Sequence, residues 1–258
     1  MPSSFSSSHP ADLDLAFFVA KLSLVTENAI SFPPYGAANL IRGQFGKSLF
    51  AGRLYEKLFA PPHRTDGPSG LKDPPRPYVL RTASLDGKSF PSDAALNFTV
   101  HVFDEALVPD FAIASLEHKL LSLALPVQAA TLVRVDFLTP TELKNAPLPS
   151  FNMLFARLRD RISALRAIYG AGPLAIDFKP MGERALAILM REHHLEDIDR
   201  TRTSKNTGQH HPIGGFVGHA IYEGVLTEFL PYLEAGYWTG VGRQTVWGKG
   251  QIRTTILD

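Results

Sequence analysis

Hydrophobic periodicity switches between strand-like and helix-like spacing in nearly the same order twice along this chain, and few folds satisfy such a pattern. Residues 13–26 are rich in Leu, Phe and Val and read as a buried strand. After the Pro33-Pro34 break, residues 36–59 carry Leu40, Ile41, Phe45, Leu49, Leu54 and Leu58 at helical spacing. Strands are predicted at 77–82 and 95–103, the second alternating Leu96, Phe98, Val100 and Val102. A helix is predicted at 111–125, ended by Pro126.

The second half opens with a strand at 131–138. A helix over 151–169 gathers Phe151, Leu154, Phe155, Leu158, Ile162, Leu165 and Tyr169 on one face. A further helical piece is expected at 181–191 and paired strands at 198–204 and 213–226. A short helix at 227–235 and a final strand at 250–257 complete the order, which is the split-βαβ arrangement. The expected fold class is α+β, with two tandem ferredoxin-like (RRM-like) βαββαβ domains. Residues 1–10 are expected to be a serine-rich disordered tail, 11–128 the first domain and 129–258 the second. RNA-recognition modules share this topology, but topology alone carries no function.

Composition narrows the classes. The 258 residues are 45% hydrophobic and 20% charged, which suits a globular chain of one large or two smaller domains. There is no cysteine, so disulfides and thiolate metal sites are excluded, and a cytoplasmic location is expected. A net charge of +1 means that any nucleic-acid contact must come from local patches. The N-terminus has no basic region ahead of an apolar core and does not read as a signal peptide. Its most apolar stretch, 13–25, contains Asp14, Lys21 and Ser23 and is too short and polar to span a bilayer, so no membrane partner is expected.

The densest motif is the loop at 240–250, Gly-Val-Gly-Arg-Gln-Thr-Val-Trp-Gly-Lys-Gly. Its glycines permit positive φ and close approach to a phosphate. Arg243 and Lys249 add charge, Gln244 adds donors, and Trp247 offers a face for stacking on a base. The plainer reading is a glycine-rich turn before the last strand. A second candidate is the stretch holding Arg200, Arg202, Lys205, His210 and His211, read as a phosphate-contacting hairpin or a solvated loop. Gly46-Lys47-Ser48 resembles the end of a P-loop, but Ile41 stands where that motif needs glycine. The pairs His193-His194 and His210-His211 make poor chelates, because adjacent residues point apart, so no metal and no cofactor is expected.

Four blocks together resemble a known family, the CRISPR-associated RAMP endoribonucleases that process precursor CRISPR RNA (the sixth Cas protein). Residues 38–46, Ala-Asn-Leu-Ile-Arg-Gly-Gln-Phe-Gly, are similar to its Leu-Arg-Gly-x-x-Gly helix. Pro-Tyr-Val-Leu at 77–80 and Phe-Leu-Thr-Pro at 137–140 follow in the family's order. The most specific block is Gly-Gly-Phe-Val-Gly at 214–218, with Tyr222, Gly224, Phe229-Leu230-Pro231 and the 240–250 loop.

The resemblance implies binding of a CRISPR repeat RNA hairpin, other CRISPR effector-complex subunits as partners, and cleavage without a metal. In that chemistry an RNA 2′-hydroxyl attacks the adjacent phosphate and leaves a 2′,3′-cyclic phosphate. Many members place a histidine in or near the first helix, but here none lies between Tyr35 and Phe59, and the nearest is His63. Three arrangements remain open. Arg42 and Arg243 act on the phosphate with Lys47 and Tyr35 in support, an arrangement similar to histidine-poor members such as those of type IV systems. Alternatively His210 or His211 reaches in from the second domain. Otherwise cleavage is lost, leaving a hairpin-binding or structural subunit. On the RNA-binding side the candidates are Arg202, Lys205, His210, Gln244, Trp247 and Lys249.

Overall fold

A computed structural model describes residues 12–49, 52–60, 74–124, 129–143, 148–203 and 210–257. The serine-rich tail and most of the proline-rich stretch at 61–77 lie outside these residues. In the first half, β1 (Asp12–Val25) leads through the short β2 (Ile30–Ser31) to α1 (Ala37–Leu49) and α2 (Arg53–Phe59). Then come β3 (Tyr78–Arg81), the short β4 (Ser89–Phe90), β5 (Ala95–Val102), α3 (Val108–Ala114) and β6 (Glu117–Ala124). The four long strands form an antiparallel sheet in the order β3-β5-β1-β6.

The second half repeats the plan. After β7 (Leu132–Thr141) come α4 (Phe151–Tyr169), α5 (Phe178–Leu186) and β8 (Leu189–Ile198). A hairpin of β9 (Thr201–Thr203) and β10 (His210–Pro212) precedes β11 (Gly215–Glu223), α6 (Leu230–Thr239) and β12 (Ile252–Ile256). This sheet has the order β12-β7-β11-β8, again antiparallel. In each half the last strand pairs with the first, and the third separates first from second. Both are therefore ferredoxin-like.

Three local expectations change. The helix expected at 36–59 is two helices, with Gly52 extended between them at φ −100° and ψ 158°. The helix expected at 111–125 stops at Ala114, and residues 117–124 become the edge strand β6. There Leu116 and Leu120, which lent helical spacing, are 63% and 70% exposed. Backbone pairing with the open edge of long β1 decides the conformation over local pattern. Finally, the helix expected to run to 191 ends at Leu186, and β11 pairs with 189–198 rather than 198–204. Most of β8 is exposed, so it carries no apolar alternation to read.

The first sheet is buried on both faces. Phe18, Ala20, Leu22, Val100 and Val102 join one core with Ala37, Ile41 and Leu58 from α1 and α2. Leu13, Leu15 and Phe17 point the other way, into the core built by α4, α6 and the second sheet. That core is rich in aromatic rings set edge to face, with Phe155 4.7 Å from Phe229 and 5.2 Å from Tyr232. The helices of the second domain therefore pack against both sheets, and the two halves share an apolar boundary.

Candidate functional site

Helix α6 aims its C-terminus at the first sheet. Its last carbonyls have no intrahelical partner, and cations are favoured there. Arg81 Nη2 of β3 donates to the carbonyls of Tyr237 and Trp238 at 2.7 and 3.1 Å. His101 Nδ1 of β5 lies 2.9 Å from the Trp238 carbonyl, and Arg161 Nε of α4 donates to that of Thr239 at 2.8 Å. A carbonyl only accepts, so Nδ1 carries the imidazole proton. Burial and the nearby Arg161 guanidinium push Arg81 down to about 9. This staple fixes where the glycine-rich loop leaves the helix.

The loop is folded back on itself. Val241 N donates to Gly250 O at 2.8 Å, and Gly250 N to Pro140 O at 3.0 Å. Glu142, just after β7, organises the interior. It accepts from Arg243 Nη1 at 2.8 Å and from Lys249 Nζ at 3.0 Å, while Lys249 also donates to Gln244 Oε1 at 2.9 Å. Burial works to raise the Glu142 pKa, but Lys249 and Arg243 outweigh it and hold the carboxyl below its ordinary value.

Gly250 sits at φ +71°, and a Cβ there would run into the Val241 carbonyl. Gly87 has the same backbone conformation, φ +70°, with nothing within 4 Å. Alanine at Gly250 should therefore destabilise the chain by about 3 kcal/mol, against about 1 kcal/mol at Gly87 for the left-handed backbone alone. Urea denaturation of the two variants checks this; equal losses would mean that the loop is not closely packed.

Across the domain boundary the loop meets α1. A Cβ on Gly248 would approach the Ala38 methyl to 2.6 Å, so this contact requires glycine. The Arg42 guanidinium lies 4.9 Å from the Phe59 ring and 5.5 Å from the Trp247 ring, within cation–π range of both. Tyr35, at φ +55° in the turn before α1, lines a small cleft with Asp86, Thr139, Trp247 and Gly248. Asp86 Oδ1 accepts from Ala37 N at 2.8 Å and holds the start of α1. Arg200, at the base of the β9–β10 hairpin, donates to the Pro34 carbonyl. Three segments thus converge: the α1 turn, the glycine-rich loop and the hairpin base.

The candidates named from sequence distribute unevenly over this arrangement. Arg42, Tyr35 and Trp247 come together. Arg243 is more than half exposed and pairs with Glu142 at 2.8 Å. Lys249 is only 3% exposed and faces the loop interior with Gln244, so in this conformation its ammonium does not meet solvent. Lys47 is exposed at the end of α1, about 140° around the helix from Arg42. Arg202, His210 and His211 lie on the backbone of the β9–β10 hairpin, where His211 is the register partner of Arg202. Lys205 lies outside the described residues. Sequence reasoning missed Glu142, Asp86, Arg81 and His101, because lone polar residues in turns and near strand ends carry no pattern that marks a partner.

The architecture is that of a tandem ferredoxin-like protein. Residues 135–252 match the family model of the CRISPR-associated endoribonuclease Cas6. That match lies within its second half, and over its length the chain shares the fold of solved Cas6 structures. It aligns with Cas6 from Thermus thermophilus at a TM-score of 0.59 and 18% identity, covering 93% of this chain and 98% of the other. A product complex of that Cas6 gives 0.55 and 19%, covering 93% and 100%. A partial Cas6-RT-Cas1–Cas2 complex gives 0.58 and 11%, covering 93% of this chain and 46% of its longer partner. No curated protein matches the chain in sequence. Among the described residues no helix is long and apolar enough to cross a membrane.

Proposed function

We propose that this chain processes precursor CRISPR RNA, cleaving a repeat hairpin by attack of a 2′-hydroxyl on the adjacent phosphate and then holding the product. The observation that carries the reading is the Arg42 guanidinium placed against Trp247, where a helix of one domain meets the glycine-rich loop of the other. The match of residues 135–252 to the Cas6 family model and the fold shared with a Cas6 product complex support the same reading. Such cleavage needs a group to take the 2′-proton, one to protonate the leaving 5′-oxygen, and cations for the charge on the pentacoordinate phosphorus. Arg42 supplies a planar guanidinium cation that can fork onto phosphate oxygens. Tyr35, in the turn before α1, is the hydroxyl candidate for proton transfer, and His211 is the histidine candidate on the hairpin. Arg243 on the loop rim and Trp247 hold the RNA backbone and a base. Lys249 and Glu142 are positioning residues that keep the loop in shape.

Cognate repeat RNA incubated with the purified chain in EDTA is expected to yield fragments ending in a 2′,3′-cyclic phosphate. Intact RNA at excess protein would remove the catalytic claim, and tight binding in that same assay would identify a non-cleaving hairpin subunit. Replacing His210 and His211 together should flatten the pH–rate profile if one of them moves the proton.

A further inference from the structure

Adjacent histidines on a strand point to opposite faces, so the sequence pair His193-His194 gives no chelate. The sheet supplies a different pairing. On β8 and β11, His194 and His219 are direct cross-strand partners. Their rings lie 5.0 Å apart, nearly parallel at 23°. Glu192 stands two residues before His194, on the same face, with Oε1 3.2 Å from His194 Nδ1. One ligand atom from each of the three residues lies within 4.8 Å of the others. Ala220 and Tyr222, of opposite parity to His219 along β11, are buried in the core, so His219 faces the open side of the sheet.

We propose that Glu192, His194 and His219 form a binding site for a divalent transition-metal ion of the zinc class. Two imidazoles and one carboxylate make a three-ligand set that leaves a fourth tetrahedral position for water or a donor from outside. Magnesium and calcium, which prefer all-oxygen sites, do not suit it. Ligands at about 2.1 Å from a tetrahedral ion sit about 3.4 Å from one another, so the three side chains must close by roughly an ångström and the rings must turn from stacking. The side chains of Glu192 and His194 are 51% and 68% exposed, so no core contact opposes that rotation.

The neighbouring charges leave the donors available. Asp136, the next residue across the sheet from His219, is already paired with Arg134 at 2.7 Å. The site lies on the outer face of the second sheet and uses none of the residues assigned to RNA. Its occupation ties the edge strand β8 to β11, because ligands come from both strands.

Isothermal titration of tag-free, full-length protein with zinc chloride tests the site. One ion per chain is expected to bind. Replacement of His194 or His219 by Ala, or Glu192→Gln, should weaken binding by at least ~10-fold each. His193→Ala and the double His210/His211 replacement should leave it unchanged. Cobalt(II) should give the intense visible absorption of a tetrahedral site, lost in the His194/His219 double variant. At a hundredfold excess over Kd, zinc should raise Tm by about 5 °C or more. Circular dichroism of each variant confirms that the fold is intact. Absence of zinc binding, or binding of equal strength in the folded double variant, overturns the proposal. RNA cleavage in EDTA should continue in the Glu192, His194 and His219 variants, so the fate of the metal site and that of the RNA reading are separable.

Discussion

Arg42→Ala is expected to slow cleavage of the cognate repeat by ~10²–10³-fold while weakening repeat binding by less than ~10-fold. The first range is that of removing one preorganised group that meets charge developing in the transition state. The asymmetry follows from position. Arg42 lies between Phe59 and Trp247, with its guanidinium in cation–π range of both rings. It therefore sits at one point of the surface, whereas affinity for a hairpin is spread over many phosphate contacts. Arg243→Ala should show the same asymmetry if Arg243 also meets the scissile phosphate. Lysine at position 42 should restore only part of the rate, because an ammonium cannot donate in a planar fork. Single-turnover rates and Kd on a non-cleavable repeat measure the two quantities separately. Equal losses in rate and affinity would reassign Arg42 to ordinary phosphate contact.

How much of this was readable without coordinates differs from element to element. The stripe on α4 and the alternation of β5 were plain, because each element has one face in a core. Two edge strands were not. Residues 117–124 and 189–198 expose much of both faces, so their conformation is set by the backbone edges of β1 and β11 and not by their own side chains. At the site, the glycine-rich loop was legible from composition, since backbone at positive φ needs glycine. Its internal wiring was not. Lys249 reads in sequence as a phosphate contact, yet Glu142, 107 residues away, draws its ammonium inward. The meeting of Arg42 with Trp247 depends on how the two domains pack, which no local pattern encodes. The pairing of His194 with His219 is likewise a matter of strand register.

Acidification from pH 7 to pH 5 should cost the chain ~2 kcal/mol through His101 alone, rising to ~4 kcal/mol near pH 3. His101 is 3% exposed on β5, against the rings of Phe17 and Trp238. Burial first, then the nearby Arg81 guanidinium and Lys119, push its pKa down to about 3, against the help of the Trp238 carbonyl. Between about 3 and 6.5 the unfolded chain takes the proton and the folded chain refuses it. Stability is thus fully present above that window and is lost as pH falls through it. Glutamine at 101 retains a neutral donor for the Trp238 carbonyl but does not titrate. Denaturant unfolding of both proteins at pH 7 and pH 5 should show this part of the acid loss only in the wild type. Identical losses would mean that His101 is not held neutral at the domain boundary. The effect also reaches the site, because the carbonyl His101 holds belongs to the last turn of α6, the turn from which the loop at 240–250 departs. Unfolding driven by this proton dismantles the staple that places Trp247 beside Arg42, so cleavage should fall with stability in the wild type and hold further into acid in His101→Gln.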